Sequence, residues 1–150
     1  MSTATSRPLA DLDDRGAIHD LVVTFYREVV FDDLLAPVFL EVAEVDWSIH
    51  IPRLIDYWCR VLLGHPGYDG AILSAHRHVH DLDEFRIEHL DRWYLLWAQS
   101  IDAGWAGPFA ERAKGHAARV GASLARQLLG SAWSAAGSTA LAAPGGWSSR

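Results

Sequence analysis

The 150-residue sequence has one cysteine, an excess of negative charge and no long apolar run. Cys59 alone cannot form an internal disulfide, which is typical of a protein kept in a reducing cytosol. The net charge of −6 disfavours general binding to nucleic acid or to an anionic membrane. No apolar stretch is long enough to cross a bilayer, and the first residues lack the apolar centre of a signal peptide. We therefore expect a cytoplasmic protein that binds neither nucleic acid nor membrane.

The sequence also lacks the motifs of several catalytic classes. It has no Glu-x-x-His pair for a di-iron bundle, no His-Glu-x-x-His for a zinc protease and no glycine-rich phosphate loop. Cys59 follows Trp58 on an apolar stretch, so we expect it to be packed rather than nucleophilic. A borrowed cofactor is therefore a better hypothesis than chemistry performed by the side chains alone.

What the sequence does have is helical spacing of its apolar residues through most of the chain. No alternating strand pattern occurs, so the predicted fold class is all-α with five or six helices. Acidic residues suit the start of the first two helices, and Gly64 suits the end of the second. Pro52 falls inside the second pattern and predicts a late start or a bend there. The helical patterns run from Ile18 to Val29, from a predicted start at Asp46 to Leu62, from Leu73 to about His80, from Ile87 to Ile101 and from Phe109 to Leu128.

The last twenty residues differ in composition from the rest. From Ser131 onward the chain is mostly Ser, Ala and Gly, which predicts a disordered tail because such residues bury little apolar surface. We take Trp133 and Trp147 in this tail as incidental. The predicted organisation is a single domain over 1–130 with a tail over 131–150.

Three of the eight histidines form a cluster, His76-Arg-His78-Val-His80. On a helix, His76 and His80 share a face, and two imidazoles there could bind zinc or nickel only with a further ligand. By itself the cluster is more often solvated than ligating. A haem site needs only one histidine ligand, in contrast to a zinc or nickel site. It also needs an apolar cleft and a few side chains with polar ends that face the other side of the haem. The aromatic-rich helices of this chain meet that requirement.

A series of short motifs runs in order from Ile18 to Leu128, and their joint order and spacing are specific. They are Phe25-Tyr26 with Asp33-Leu-Leu-Ala-Pro-Val-Phe39, Trp47 with His50-Ile-Pro52-Arg-Leu54 and Tyr57-Trp58, Tyr68-Asp-Gly70 with Ala75-His76-Arg77, His89-Leu-Asp-Arg-Trp93-Tyr-Leu-Leu-Trp97, and Ala106-Gly-Pro-Phe109. In these motifs the sequence resembles the truncated haemoglobins, and among them the third group. The resemblance implies an abbreviated globin, with helices stacked two over two around haem b.

The resemblance also implies a role for individual residues. His76, six residues after Gly70, would coordinate the haem iron. The connection after it is longer than in some members, and Ala71-Ile72 stands where a proline is expected nearby. These two departures keep His78 and His80 as alternative ligands.

On the other side of the haem, the resemblance implies two hydrogen-bond donors. Tyr26 and Trp93 would present an O–H and an N–H to a ligand on the iron. His50 would stand at the distal entrance, Leu54 one turn further would wall the pocket, and Phe39 would pack against the haem.

The function implied is binding of dioxygen, carbon monoxide or nitric oxide at a histidine-ligated iron, for oxygen binding or transport. Nitric oxide dioxygenase or peroxidase-like activity would need an external reductase, because the chain has no reductase domain of its own. The main alternative is a haem-free helical sensor or interaction domain on a globin scaffold. A zinc or nickel protein that uses His76, His78 and His80 is a second.

Overall fold

The computed structural model describes residues 8–39, 46–66 and 86–135, and the regular structure in these ranges is helical. It contains α1 (Arg15–Val29), α2 (Trp47–Leu63), α3 (Ile87–Gly104) and α4 (Pro108–Leu124), and a π-helical segment, Ala125–Leu129, continues α4. The all-α prediction is confirmed. Among these helices, none combines the length and the apolar character that a bilayer crossing requires.

The helix ends lie where local side-chain chemistry favours them. The Asp14 carboxylate accepts a hydrogen bond from the Ala17 amide at 2.8 Å, and Asp46 accepts one from the Ser48 amide at 3.0 Å. These bonds satisfy amides that have no partner within a first helical turn. Gly64 ends α2 with φ of 74°, a conformation that costs a glycine little. Pro52 lies inside α2, so the prediction of a late start there is wrong.

The four α-helices pack as two pairs. Helix α1 lies against α2, and α3 lies against α4, while α1 also contacts α3 and α2 also contacts α4. This is the predicted two-over-two arrangement. Its core is apolar and rich in aromatic rings, and burial of such surface is the main stabilising term in folding. The largest fully buried side chains are Phe25, Leu12, Ile18, Leu21, Ile101, Val22, Val29 and Cys59.

Trp133 differs from its sequence-based interpretation. Only 9% of it is exposed, its Nε1 donates to Asp91 at 2.9 Å, and its ring packs edge-on against Tyr94. Helix α4 admits the indole because residue 121 is glycine, where a Cβ would lie 2.5 Å from the ring. The expectation that Trp133 is incidental is therefore wrong, and the packed part of the chain includes it. Trp147 lies outside the described residues.

Candidate functional site

Tyr26 is the polar centre of the candidate site. It lies near the C-terminal end of α1, is 9% exposed, and has its hydroxyl oxygen 3.3 Å from Nε2 of His50 on α2. Burial raises the pKa of Tyr26 far above its usual value, because the phenolate would lose its hydration. The hydroxyl therefore stays protonated at any physiological pH and is available as a hydrogen-bond donor.

Aromatic rings surround this hydroxyl. The ring centroids of Phe39, Trp47 and His50 lie 5.6, 5.3 and 5.2 Å from that of Tyr26. Phe39 and Trp47 stack on each other at 6.0 Å. We call these four residues the Tyr26 pocket. Such a lining offers apolar walls and two polar groups that point toward each other.

The chain segment that carries Phe39 is held by an ion pair. Asp32, just after α1, pairs with Arg92 on α3. The same carboxylate accepts hydrogen bonds from the amides of Leu34 and Leu35 at 3.1 and 2.9 Å. Asp32 thus fixes the turn that leads from α1 to Phe39 and ties it to the opposite pair of helices.

Leu54 and Trp93, the other distal residues expected from sequence, lie at the edge of the core. Both are partly buried and pack against it. Leu54 lies one turn after His50 on α2. Trp93 lies on α3, one turn before the buried Trp97. Within the described ranges, Trp93 is not among the rings that contact Tyr26.

The proximal prediction falls in another part of the sequence. His76, together with its alternatives His78 and His80, lies outside the described residues, so each stays a prediction. Among the residues that the structure does describe, no group of three or more His, Cys, Asp or Glu side chains is placed to hold a metal ion.

The fold and part of the sequence are similar to those of known proteins. No family model matches the chain. The group 3 truncated hemoglobin ctb of Campylobacter jejuni is 29% identical over 92 residues, which are 59% of this chain and 70% of that protein. The crystal structure of the group III truncated hemoglobin from the same organism superposes with a TM-score of 0.68 at 24% identity, covering 85% of this chain and 95% of the other. This chain has the truncated-globin fold. The resemblance drawn from the sequence motifs is confirmed.

Trp47 is the pocket residue to which sequence reasoning gave no site role. It lies three residues before His50, and residues at that spacing share a helix face. Because α2 presents His50 to Tyr26, it also presents Trp47. The signal was therefore available in the spacing, once His50 had been placed in the site.

A second tyrosine–histidine pair in this chain had no signal in the sequence. The hydroxyl oxygen of Tyr57 on α2 lies 2.5 Å from Nε2 of His116 on α4. Burial lowers the pKa of His116, and the positive charge of Arg119 lowers it further, so the imidazole favours its neutral form. Fifty-nine residues separate the two partners, and only the packing of α2 against α4 brings them together.

Between the two pairs lies an unbroken series of rings. Phe25 contacts Tyr26 on one side and Trp97 on the other, with centroid distances of 4.7 and 5.1 Å. Trp97 stacks on Trp58 at 4.6 Å, and Trp58 lies 5.4 Å from Tyr57. Trp58 and Trp97 are 6% and 2% exposed, so both are core residues. The core thus connects the Tyr26 pocket to the Tyr57–His116 pair through aromatic contacts alone.

Proposed function

We propose that this chain binds haem and holds a diatomic ligand in the Tyr26 pocket. The observation that carries the proposal is the buried, neutral Tyr26 hydroxyl beside His50, enclosed by Phe39 and Trp47, in a truncated-globin fold. The names of the two similar proteins, both truncated hemoglobins, support a haem-binding function.

The residues present fit haem on chemical grounds. Haem needs an apolar enclosure, a nitrogen ligand for iron and a distal side whose polarity decides how a ligand is held. The Tyr26 pocket supplies aromatic walls and a hydrogen-bond donor. That donor is the Tyr26 hydroxyl, which burial keeps protonated and from which a polarised diatomic ligand can accept a hydrogen bond. The histidines at 76, 78 and 80 supply candidate nitrogen ligands, of which we propose His76.

Haem supplies the iron on which dioxygen, carbon monoxide or nitric oxide is held. The chain supplies the rest of the selectivity. The Tyr26 hydroxyl donates to the ligand, and His50 fixes the direction of that hydroxyl by its own hydrogen bond. Each donor stabilises a partly negative ligand by about 1–3 kcal/mol. Trp93 adds an indole N–H to the same side, and Leu54 with Phe39 excludes water.

We take haem b as the cofactor, because the chain lacks a Cys-x-x-Cys-His attachment motif. Oxygen binding or transport and the removal of nitric oxide or peroxide would share one pocket. Turnover in either kind of removal would need electrons from an external reductase. The alternative, a haem-free sensor or interaction domain, shares the fold and differs only in leaving the pocket without a cofactor.

Visible absorption spectroscopy tests the proposal. Wild type and His76→Ala are purified, supplied with haem, and recorded in the ferric state, after reduction, and after carbon monoxide is added. We expect a haem spectrum that shifts with carbon monoxide in the wild type and is lost or strongly altered in His76→Ala. His78→Ala and His80→Ala are the matched controls and should resemble the wild type.

The other outcomes are equally informative. A wild type that takes up no haem would refute the proposed function and favour the haem-free domain. Haem bound unchanged in His76→Ala but lost in His78→Ala or His80→Ala would keep the function and move the iron ligand. Metal binding that needs all three histidines, without haem uptake, would indicate the zinc or nickel protein.

A further inference from the structure

The Tyr57–His116 pair has the geometry of a phenol prepared to lose its proton. The Tyr57 hydroxyl oxygen and Nε2 of His116 lie 2.5 Å apart, close enough for a hydrogen bond. The His116 imidazole also lies edge-on to Trp58, with 5.4 Å between ring centroids. Among the described residues, the contacts of this pair are with Trp58 and not with the residues of the Tyr26 pocket.

A phenol becomes a strong acid when it loses an electron. Its one-electron oxidation is therefore much easier when a base already accepts its hydrogen bond, because electron and proton then leave together. Neutral His116 is such a base, as an imidazole that can take a proton near neutral pH. Tyr57 is the described tyrosine placed against such a histidine at this distance, whereas the Tyr26–His50 pair is 0.8 Å longer, at 3.3 Å against 2.5 Å.

The rings beside Tyr57 form a path for electron transfer. Trp58 and Trp97 are stacked with an interplanar angle of 26°, and Phe25 follows them in edge contact before Tyr26. Indoles are the side chains besides tyrosine that are most readily oxidised by one electron. Because these rings are in contact, each electron-transfer step covers only the distance between two neighbouring rings.

We infer that Tyr57 is a redox-active tyrosine, which delivers electrons through Trp58 and Trp97 to an oxidant in the Tyr26 pocket and its proton to His116. The inference rests on the proposed function, since the oxidant is a hydroperoxide admitted to that pocket. In each step the oxidant takes an electron from the Trp58–Trp97 stack, and Tyr57 then returns an electron to the oxidised indole while its O–H bond breaks and its proton forms an N–H bond at Nε2 of His116. The products are a neutral tyrosyl radical and an imidazolium.

Two such steps reduce one hydroperoxide. The O–O bond breaks, and two electrons with two protons from solvent convert an organic hydroperoxide to an alcohol and one water, or hydrogen peroxide to two waters. Tyr57 is partly buried at the edge of the core, within reach of a small one-electron donor such as ascorbate. The donor returns an electron to the tyrosyl oxygen, His116 returns the proton, and the donor releases its own proton to solvent. Electrons and protons then balance over the cycle.

Radical trapping in the haem-loaded chain tests the inference. The protein is mixed with hydrogen peroxide and frozen, its electron paramagnetic resonance spectrum is recorded, and a spin-trapped sample is mapped by peptide mass spectrometry. We expect a tyrosyl signal and an adduct at Tyr57 in the wild type, and loss of both in Tyr57→Phe. Tyr94→Phe, which removes a buried hydroxyl away from the ring series, is the matched control and should keep both.

Two further variants separate a relay from a merely exposed tyrosine. His116→Phe keeps an aromatic ring but removes the proton acceptor, so the tyrosyl yield should fall. Trp58→Phe keeps the packing but removes one easily oxidised indole, and the radical should then appear later and at lower yield. A tyrosyl signal unchanged in Tyr57→Phe, or equal yields in His116→Phe and wild type, would overturn the inference.

Failure of haem binding would be recognised separately. Haem uptake is measured by absorption before peroxide is added, and a chain that takes up none is instead oxidised by flash photolysis with a soluble ruthenium polypyridyl and persulfate. An adduct at Tyr57 that depends on His116 would then support the tyrosine site although the haem function had failed. An adduct at Tyr94, with none at Tyr57, would refute the site whatever the cofactor.

Discussion

The molecule contains two tyrosine–histidine pairs that differ in almost every physical respect. Tyr26 and His50 join α1 to α2 at 3.3 Å, inside a ring of other aromatic side chains. Tyr57 and His116 join α2 to α4 at 2.5 Å, at the edge of the core. The first pair contains a tyrosine that burial keeps protonated, and the second contains a histidine that burial keeps neutral.

The difference suggests two uses for the same two residue types. A protonated phenol beside a weakly held imidazole can turn its O–H toward a third group, which suits ligand binding. A phenol held tightly by a neutral imidazole has a place for its proton already, which suits oxidation. The ring series through Phe25, Trp97 and Trp58 connects the two tyrosine–histidine pairs. Substitutions in either pair, or in the rings between them, therefore test whether the pairs act separately.

The largest effect is expected where the two regions meet, at Trp97. This side chain is 2% exposed, stacks on Trp58, contacts Phe25 and donates from Nε1 to the Ala113 carbonyl at 3.2 Å. Replacement by alanine should lower the free energy of unfolding by about 3–5 kcal/mol, because it leaves a large cavity and removes the indole hydrogen bond to the Ala113 carbonyl. Urea unfolding followed by circular dichroism measures the loss.

The control for this variant is Trp97→Phe, which fills most of the cavity and should cost much less. Equal losses for alanine and phenylalanine would mean that the indole N–H bond, rather than ring packing, holds the two regions together.

The next effect concerns ligand binding and should be confined to the first pair. In the haem-loaded protein, Tyr26→Phe removes a donor worth about 1–3 kcal/mol, which corresponds to a roughly 5- to 150-fold faster dissociation of dioxygen. Tyr57→Phe should leave that rate unchanged, because the rings of Phe25, Trp97 and Trp58 separate it from the pocket. Stopped-flow dissociation with carbon monoxide as the competing ligand gives both rates. Similar acceleration in the two variants would show that the pairs are coupled rather than distinct.

Much of the first pair could be predicted from the sequence. Acidic residues and Gly64 marked the helix ends, the motif order indicated the truncated-globin fold, and the resemblance assigned Tyr26 and His50 to the same side of the haem. The second pair could not be predicted, because Tyr57 and His116 carry no local pattern and meet only through the packing of α2 on α4.

Trp133 shows the opposite failure, in which composition was misleading. A Ser-, Ala- and Gly-rich segment predicts a disordered tail, yet one indole within it finds a partner in Asp91 and a space over Gly121. A single large aromatic side chain buries enough apolar surface to hold in place a few neighbouring residues that bury little surface of their own. The composition of a segment does not reveal a packing site that residues of other helices form.

A smaller effect should distinguish the pairs by their contribution to stability. Tyr57→Phe removes a short hydrogen bond and leaves Nε2 of His116 without that partner, which should cost about 0.5–1.5 kcal/mol of unfolding free energy. Tyr26→Phe removes a longer bond and should cost less. Urea unfolding of the haem-free variants measures both. A larger loss for Tyr26→Phe would mean that the ligand-binding pair, and not the edge pair, is the one that stabilises the fold.

The smallest effect is a pH dependence that belongs to the second pair. Burial and the charge of Arg119 lower the pKa of His116 below its ordinary value of 6.5, so below that pH the unfolded chain binds a proton that the folded chain resists. Stability attributable to His116 is therefore complete above the ordinary pKa and declines as the pH falls from about 7.5 toward 5. His116→Gln, which can still accept from Tyr57, should flatten the decline, because an amide does not titrate in this range. Urea unfolding at the two ends of this pH range measures the decline. An unchanged dependence of unfolding free energy on pH in His116→Gln would mean that the imidazole is protonated as easily in the folded protein as in the unfolded chain. The second pair would then lack the neutral base on which its difference from the first pair depends.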